Sequence, residues 1–242
     1  MKMTRLVFMP VLVLALLSLA VAASEKQVRE RMQMLIPGAV PDAVIETPVD
    51  GVYEVRYGTQ ILYMSADGKY VFQGNLVDTE TRTNLTENSR TLARKQVVEE
   101  LDESRMVIYG ANGETRHVVT VFTDADCTFC RRMHAEMNEI NDHGITIRYL
   151  LFPRTGVDSP SYRKAESIWC ADDRHHAMDE AKLGREIPEK NCDNPVREHM
   201  ALGEQLGVQG TPALVLESGQ MLPGYRPVNE LAAILEQLAK GQ

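Results

Sequence analysis

The sequence predicts an α/β domain carrying a helical insertion, preceded by a small α+β segment and joined to it by a helix. Three observations carry this. After Gly110, apolar runs of strand length alternate with helical stretches, the order of an α/β layout. Between Val44 and Phe72, short runs rich in Val, Ile and Tyr follow one another with turn formers between them. Between the two regions, Asn88 to Ser104 holds neither Gly nor Pro.

The chain opens with Lys2 and Arg5, an apolar stretch from Leu6, and Ala20-Val21-Ala22, the small-x-small pattern of a signal peptidase site. Pro10 interrupts the stretch, so a cleaved signal peptide over residues 1–22 is preferred to a membrane anchor. The stretch does not end in a cysteine, which argues against a lipid anchor. The mature chain is then expected to begin near Ala23 and to work outside the cytoplasm.

An amphipathic stretch from Gln27 to Ile36 ends at Pro37-Gly38. The runs AVIETP, GVYEVRYG, TQILYMS and KYVFQG follow, with turns expected at Asp50-Gly51 and Asp67-Gly68. So few strands bury a thin core. They either pair at their edges with a second copy of the chain or pack on the rest of their own, and the residues favour neither. In the predicted helix from Asn88 to Ser104, Arg90, Arg94 and Lys95 come early and Glu99, Glu100, Asp102 and Glu103 late, against the helix dipole. This pattern and its weak amphipathicity suit a connector.

Beyond Gly110, His117 to Thr123 reads as a strand, Thr128 to Asn141 as a helix and Ile145 to Phe152 as a second strand. A helical insertion from Ser159 to Leu206 follows, then a strand at Pro212 to Glu217, a short run at Gln220 to Leu222 and a last helix from Val228.

The formal net charge is -8, and loss of Lys2 and Arg5 takes it to -10. An acidic chain without a basic block is repelled by phosphate backbones, so nucleic acid is excluded as a partner. Four cysteines, Cys127, Cys130, Cys170 and Cys192, favour disulfides in an exported chain.

Cys127-Thr128-Phe129-Cys130 admits four readings. Covalent haem attachment requires His after the second cysteine, and position 131 is Arg. A zinc site requires a second close pair, and Cys170 and Cys192 stand far apart. An inert disulfide and a redox pair remain, and position favours redox. Cys127 falls where a strand gives way to a helix, so unpaired backbone N–H groups and the positive dipole end stabilise its thiolate. Cys130, one turn further in, is placed to attack a mixed disulfide. Phe129, Met133, Met137 and Ile140 share a helix face and are expected to pack on the sheet. Asp126 opposes ionisation of Cys127, and Arg131 and Arg132 are expected to offset it. Thr211-Pro212 precedes a strand and on its own reads as a turn.

From His117 to Leu235 the motifs VFTDADCTFCRRMH, ITIRYLLFPR, SIWCADD and LGVQGTPALVLESGQMLPGYRP resemble the thioredoxin-like catalytic domain of the periplasmic disulfide isomerases of the DsbC/DsbG type. The resemblance implies a dimerisation domain over residues 23–85, a linker helix over 86–110 and a catalytic domain over 111–242. It implies attack on client disulfides by Cys127, resolution by Cys130, and Thr211 and Pro212 as a cis-proline loop pairing with an extended client. It also implies a structural disulfide between Cys170 and Cys192 and a periplasmic homodimer with chaperone activity. Its clients would be misfolded disulfide-containing exported proteins, and its electron donor a membrane thiol reductase of the DsbD type. No cofactor or metal is implied. The DsbC-type pattern is favoured by the Thr211-Pro212 loop and the Cys170/Cys192 pair. Two alternatives stand beside the isomerase: a holdase with incidental cysteines, and rescue of sulfenic acids on single cysteines. Thr128 departs from the family pattern at the inner dipeptide, where redox poise is tuned. His134 is read as structural, His175 and His176 as solvent-facing, and Trp169 as core.

Overall fold

The computed structural model describes residues 24–240. The expected signal peptide over residues 1–22 lies outside them. The described chain forms two compact units that divide between Ser89 and Arg90.

In the first unit a helix over residues 24–35, α1, precedes four antiparallel strands in sequential order: β1 (Ala43–Glu46), β2 (Val52–Tyr57), β3 (Gln60–Ser65) and β4 (Val71–Phe72). Gly51 and Gly68 have positive φ, as the expected turns require. Val28 and Met32 of α1 pack on Val44, Tyr53, Val55 and Met64. The buried Glu54 points the other way along β2, taking Arg56 Nε at 2.6 Å and the Ser89 hydroxyl at 3.0 Å. Such buried charge is tolerated because it is paired. A two-residue ladder, β5 (Val77–Asp78) with β6 (Thr83–Asn84), follows; strands this short carry no periodicity to read.

The connector helix, α2 (Leu85–Glu99), starts earlier and stops sooner than the sequence predicts. Asn84 Oδ1 accepts from the Glu87 amide at 3.0 Å, a cap that sets its start. The acidic run that opposes the dipole falls largely outside it, and Asp102 instead caps a single 3-10 turn at Glu103–Arg105. Helix does not continue through the expected linker. Within it lies β7 (Val107–Tyr109), an edge strand of the second unit's sheet.

That sheet also contains β8 (His117–Thr123), which leads through α3 (Thr128–Ala135) and α4 (Met137–Asp142) to β9 (Ile145–Leu151). The insertion holds α5 (Pro160–Trp169), α6 (Arg174–Lys182) and α7 (Val196–Leu206), and the chain then forms β10 (Ala213–Leu216), β11 (Met221–Pro223) and α8 (Val228–Lys240). The strand order is β11-β10-β8-β9-β7, with β8 and β9 parallel and every other neighbour antiparallel. β8 sits at the centre, and its last five residues are all buried.

The single helix expected from Thr128 to Asn141 is broken at Glu136. The Glu136 carboxylate accepts from the Tyr225 hydroxyl and from the Val228 amide at the start of α8. Met133, Met137 and Ile140 are core as expected, but Phe129 is not: it is 57% exposed. The buried face of α3 is instead taken by Cys130 and Met133, one turn apart.

Cys170, at the end of α5, is bonded to Cys192 across 22 positions. Trp169 is buried with the Arg174 guanidinium 3.6 Å from its ring centre, and His175 and His176 are exposed. His199 of α7 joins two elements, accepting from the Leu151 amide at 3.1 Å and donating to the Arg105 carbonyl at 2.9 Å. Burial holds it neutral, its pKa lowered to about 4. Among the described residues no helix is long and apolar enough to cross a membrane.

Gly203 of α7 faces two core rings, Phe152 and Phe122, themselves packed edge to face at 5.9 Å. A Cβ there would fall 2.5 Å from Phe152 and 3.2 Å from Phe122. Gly203→Ala should therefore destabilise the protein by about 1–3 kcal/mol, although Ala is the better helix former by about 1 kcal/mol. A lower urea midpoint at unchanged slope is the expected readout.

Candidate active site

The register of β10 on β8, Ala213 against Phe122, sets the start of one strand beside the end of the other. Two loops meet there: the turn from Asp124 to Cys127, and Thr211-Pro212, whose peptide bond is cis. The turn is built on Asp124, which is buried. Its Oδ1 accepts from the Asp126 amide at 2.8 Å and the Ser161 hydroxyl at 2.7 Å. Its Oδ2 accepts from the amide and Nε of Arg154, both at 3.1 Å. Burial alone would raise its pKa; the bonds from Ser161, Asp126 and Arg154 outweigh it and keep the carboxyl below its ordinary value.

Cys127 is the N-cap of α3, in extended conformation with φ -83 and ψ 122. Its Sγ accepts from the Cys130 amide at 3.4 Å and, as a thiol, donates to the Thr211 carbonyl at 3.2 Å. Burial would push this thiol up. Thr211, the Cys130 amide and the positive charge of Arg154 together take it below the ordinary cysteine value. The Thr211 hydroxyl is buried without a hydrogen-bond partner in this arrangement, and it favours the ionised sulfur. At Cys130 the balance reverses: burial pushes its thiol up, against the charge of Lys182.

Asp126 is exposed, and Arg131 (3.0 Å) and Lys164 both pair with it. Arg132 plays no part in this; its guanidinium lies 4.8 Å from the Tyr225 ring centre. Cys127 is itself more closed than a nucleophile at a helix mouth suggests, at 2% exposure against 1% for Cys130. The reason is its inward turn to the Cys130 amide and the Thr211 carbonyl, which leaves Thr128 and Phe129 outermost. His134 is half-enclosed, with Nε2 2.9 Å from Asp179; burial and the charge of Lys182 lower its pKa to about 4.

The structure thus brings Cys127, Cys130, Thr211 and Pro212 together, and Cys170 and Cys192 form their bond at the end of α5. Asp124, Arg154, Ser161 and Lys182 were not identified from sequence. Lys182 alone left a signal: it shares with Ala177, Met178 and Ala181 the buried face of α6.

Residues 103–239 match the family described as a thioredoxin-like domain, and residues 19–87 that described as the disulfide bond isomerase protein N-terminal domain. The chain is 38% identical over 195 residues to the thiol:disulfide interchange protein DsbC of Escherichia coli K12, covering 80% of each. To DsbC of Dickeya dadantii it is 36% identical over 234 residues, covering 96% of this chain and 94% of that one. The solved disulfide interchange protein from Neisseria gonorrhoeae superposes with a TM-score of 0.51 at 32% identity, over 57% of this chain and 97% of that one.

In the reduced protein, thiolate absorbance against pH should place Cys127 below the cysteine norm of about 8.5, with Cys130 above it. Arg154→Met should move the Cys127 midpoint upward. An unmoved midpoint would remove Arg154 from the electrostatics of the pair.

Proposed function

This chain belongs to the DsbC-type thiol:disulfide interchange proteins, and on that premise we propose that Cys127 and Cys130 perform the exchange on exported proteins carrying wrong disulfides. The observation that carries the reading is the Cys127 sulfur at the N-terminus of α3, bonded to the Cys130 amide and beside Thr211-Pro212. The Cys127 thiolate attacks one sulfur of a client disulfide. A bond forms from Cys127 to that sulfur, the client S–S bond breaks, and the other client sulfur leaves with the electron pair. If that thiolate then attacks elsewhere in the client, Cys127 is finally displaced and the client is isomerised. If Cys130 attacks Cys127 instead, the pair becomes a disulfide and the client leaves reduced. Isomerisation requires a reduced Cys127, so an electron donor is part of the proposal: a membrane thiol reductase of the DsbD type.

Client recognition falls to the Thr211-Pro212 loop and the exposed Phe129. Backbone pairing at the loop binds an extended chain without reading its side chains, which suits many clients. Residues 111–242 are assigned to catalysis together with β7, which completes their sheet. Residues 23–85 are assigned to dimerisation, and the part of 86–110 before β7 to linking the two. Cys170–Cys192 is assigned a structural role, and the working compartment is the periplasm. Support for dimerisation comes from the edge strand β4, where Tyr70, Val71 and Phe72 are exposed. A dimer with apolar surface facing inward would also hold unfolded chains, the chaperone part of the activity.

Cys127→Ser should abolish refolding of a scrambled multi-disulfide substrate, and Cys130→Ser should accumulate mixed disulfides through Cys127. Refolding at the wild-type rate by the Cys127 variant would refute the proposal.

For the dimer, native mass of a Val71→Lys/Phe72→Lys variant is the check. Two like charges on each copy's open edge should reduce the particle to one chain. A particle still of two chains would place the interface elsewhere.

A further inference from the structure

Lys182 closes α6, and a cation there would ordinarily be a solvated complement to the helix dipole. It is instead 4% exposed. Its Nζ donates to the Thr123 hydroxyl at 2.5 Å and to the Asp124 carbonyl at 3.1 Å, the two residues that open the loop of the cysteine pair. The acidic residue of that loop turns its carboxylate to Arg154 and Ser161 and only its backbone oxygen to Lys182. Its Nζ also lies 5.4 Å from the Tyr149 ring centre, a weak partner for a cation. The Asp124 carboxylate favours it only through space, and a buried ammonium held by neutral oxygens and a ring has no direct ion-pair partner.

The groups that face it supply one. From α3 and its cap come Cys130, Cys127, Arg131 and His134; from the loop, Asp124; from β9, Tyr149. Of these, Cys130 favours the ammonium most, and in return Lys182 is the foremost influence favouring the Cys130 thiolate against burial. The Thr123 hydroxyl, held by Lys182, favours the same thiolate.

We propose that Lys182 is the counter-charge of the Cys130 thiolate in the step that frees the client from Cys127. The proposal rests on the disulfide-exchange reading above and names the residue that drives its reductive branch. In that step the Cys130 sulfur loses its proton and attacks the Cys127 sulfur of the mixed disulfide. The Cys127–Cys130 bond forms and the bond from Cys127 to the client sulfur breaks. The client sulfur leaves with the electron pair and takes up one proton, so no net proton is gained or lost. Counted from the first attack, the cysteine pair is oxidised by two electrons and the client disulfide is reduced by two, to a pair of thiols. Lys182 touches neither client nor reacting bond: it is a positioning residue acting through charge. Burial lowers its own pKa to about 8, so this support is present at neutral pH and is lost as pH rises through that value.

The test uses the full-length protein with oxidised glutathione as the probe, quenched in acid and read by mass. Lys182→Met should form the Cys127–glutathione adduct much as the wild type does. Its release of the second glutathione at pH 7 should be about tenfold slower, with the pH midpoint of release raised by about one unit. A variant damaged only in packing would not move that midpoint. A second measurement leaves Lys182 in place: its ammonium titration by NMR should fall to lower pH in Cys130→Ala, because coupling is reciprocal. Wild-type release by Lys182→Met, or a Lys182 midpoint indifferent to Cys130, overturns the proposal. Failure of the exchange reading itself would look different, since then the wild type would form no adduct through Cys127.

Discussion

The site depends on one constraint: the backbone leaves β8 at Thr123 and must turn into α3 within four residues, all buried but Asp126. A buried turn exposes N–H groups to no water, so each needs a partner. Asp124 supplies them by accepting from Asp126 and Arg154, and its carbonyl takes the Cys127 amide at 3.2 Å. Cys127 supplies the next by accepting from Cys130. A side chain that caps a helix accepts through its lone pairs, and a sulfur does this better as thiolate than as thiol. Closing the turn and activating the nucleophile are therefore one requirement met by one residue.

The two sulfurs, a single turn apart, are driven in opposite directions by burial and partners of different weight. Cys127 has Thr211, an amide and Arg154 to set against its desolvation, and it ionises early. Cys130 lies one turn deeper and burial wins, so its thiol is pushed up. That ordering separates attack from escape. In the proposed exchange, a Cys130 as easy to ionise as Cys127 would cut short adducts before a client could rearrange. The buried carboxylate and the buried amine act on this asymmetry in opposite senses: Asp124 binds Arg154, whose charge lowers Cys127, while Lys182 favours the Cys130 thiolate against burial.

The amino-acid pattern made the strand β8, the pair at the head of α3 and the order of later elements legible, because period and turn chemistry are local properties. Thr211-Pro212 reads on its own only as a turn; the cis bond found there is implied by the resemblance. What stayed hidden was set by tertiary contact. Glu136 breaks a helix whose sequence reads as continuous, since Tyr225 and Val228, far along the chain, bind its carboxylate. Phe129 has the spacing of a core residue and is exposed, since the first turn of α3 turns Cys130 inward. Arg154 belongs to the site only because β9 ends beside β8, a fact of register. Lys182 reads as a helix-ending cation until the helix is seen to end against the loop.

The closure of Cys127 bears on the proposed engagement of clients. As a thiol it occupies the Thr211 carbonyl, the acceptor that the proposed pairing with an extended client would need. A thiolate has no proton to give, so ionisation releases that carbonyl in the same event that creates the nucleophile. The buried Thr211 hydroxyl has no partner beside the thiol and favours the ionised sulfur. Under the proposed exchange, docking and reactivity would be coupled through Thr211, whose carbonyl takes the closed thiol.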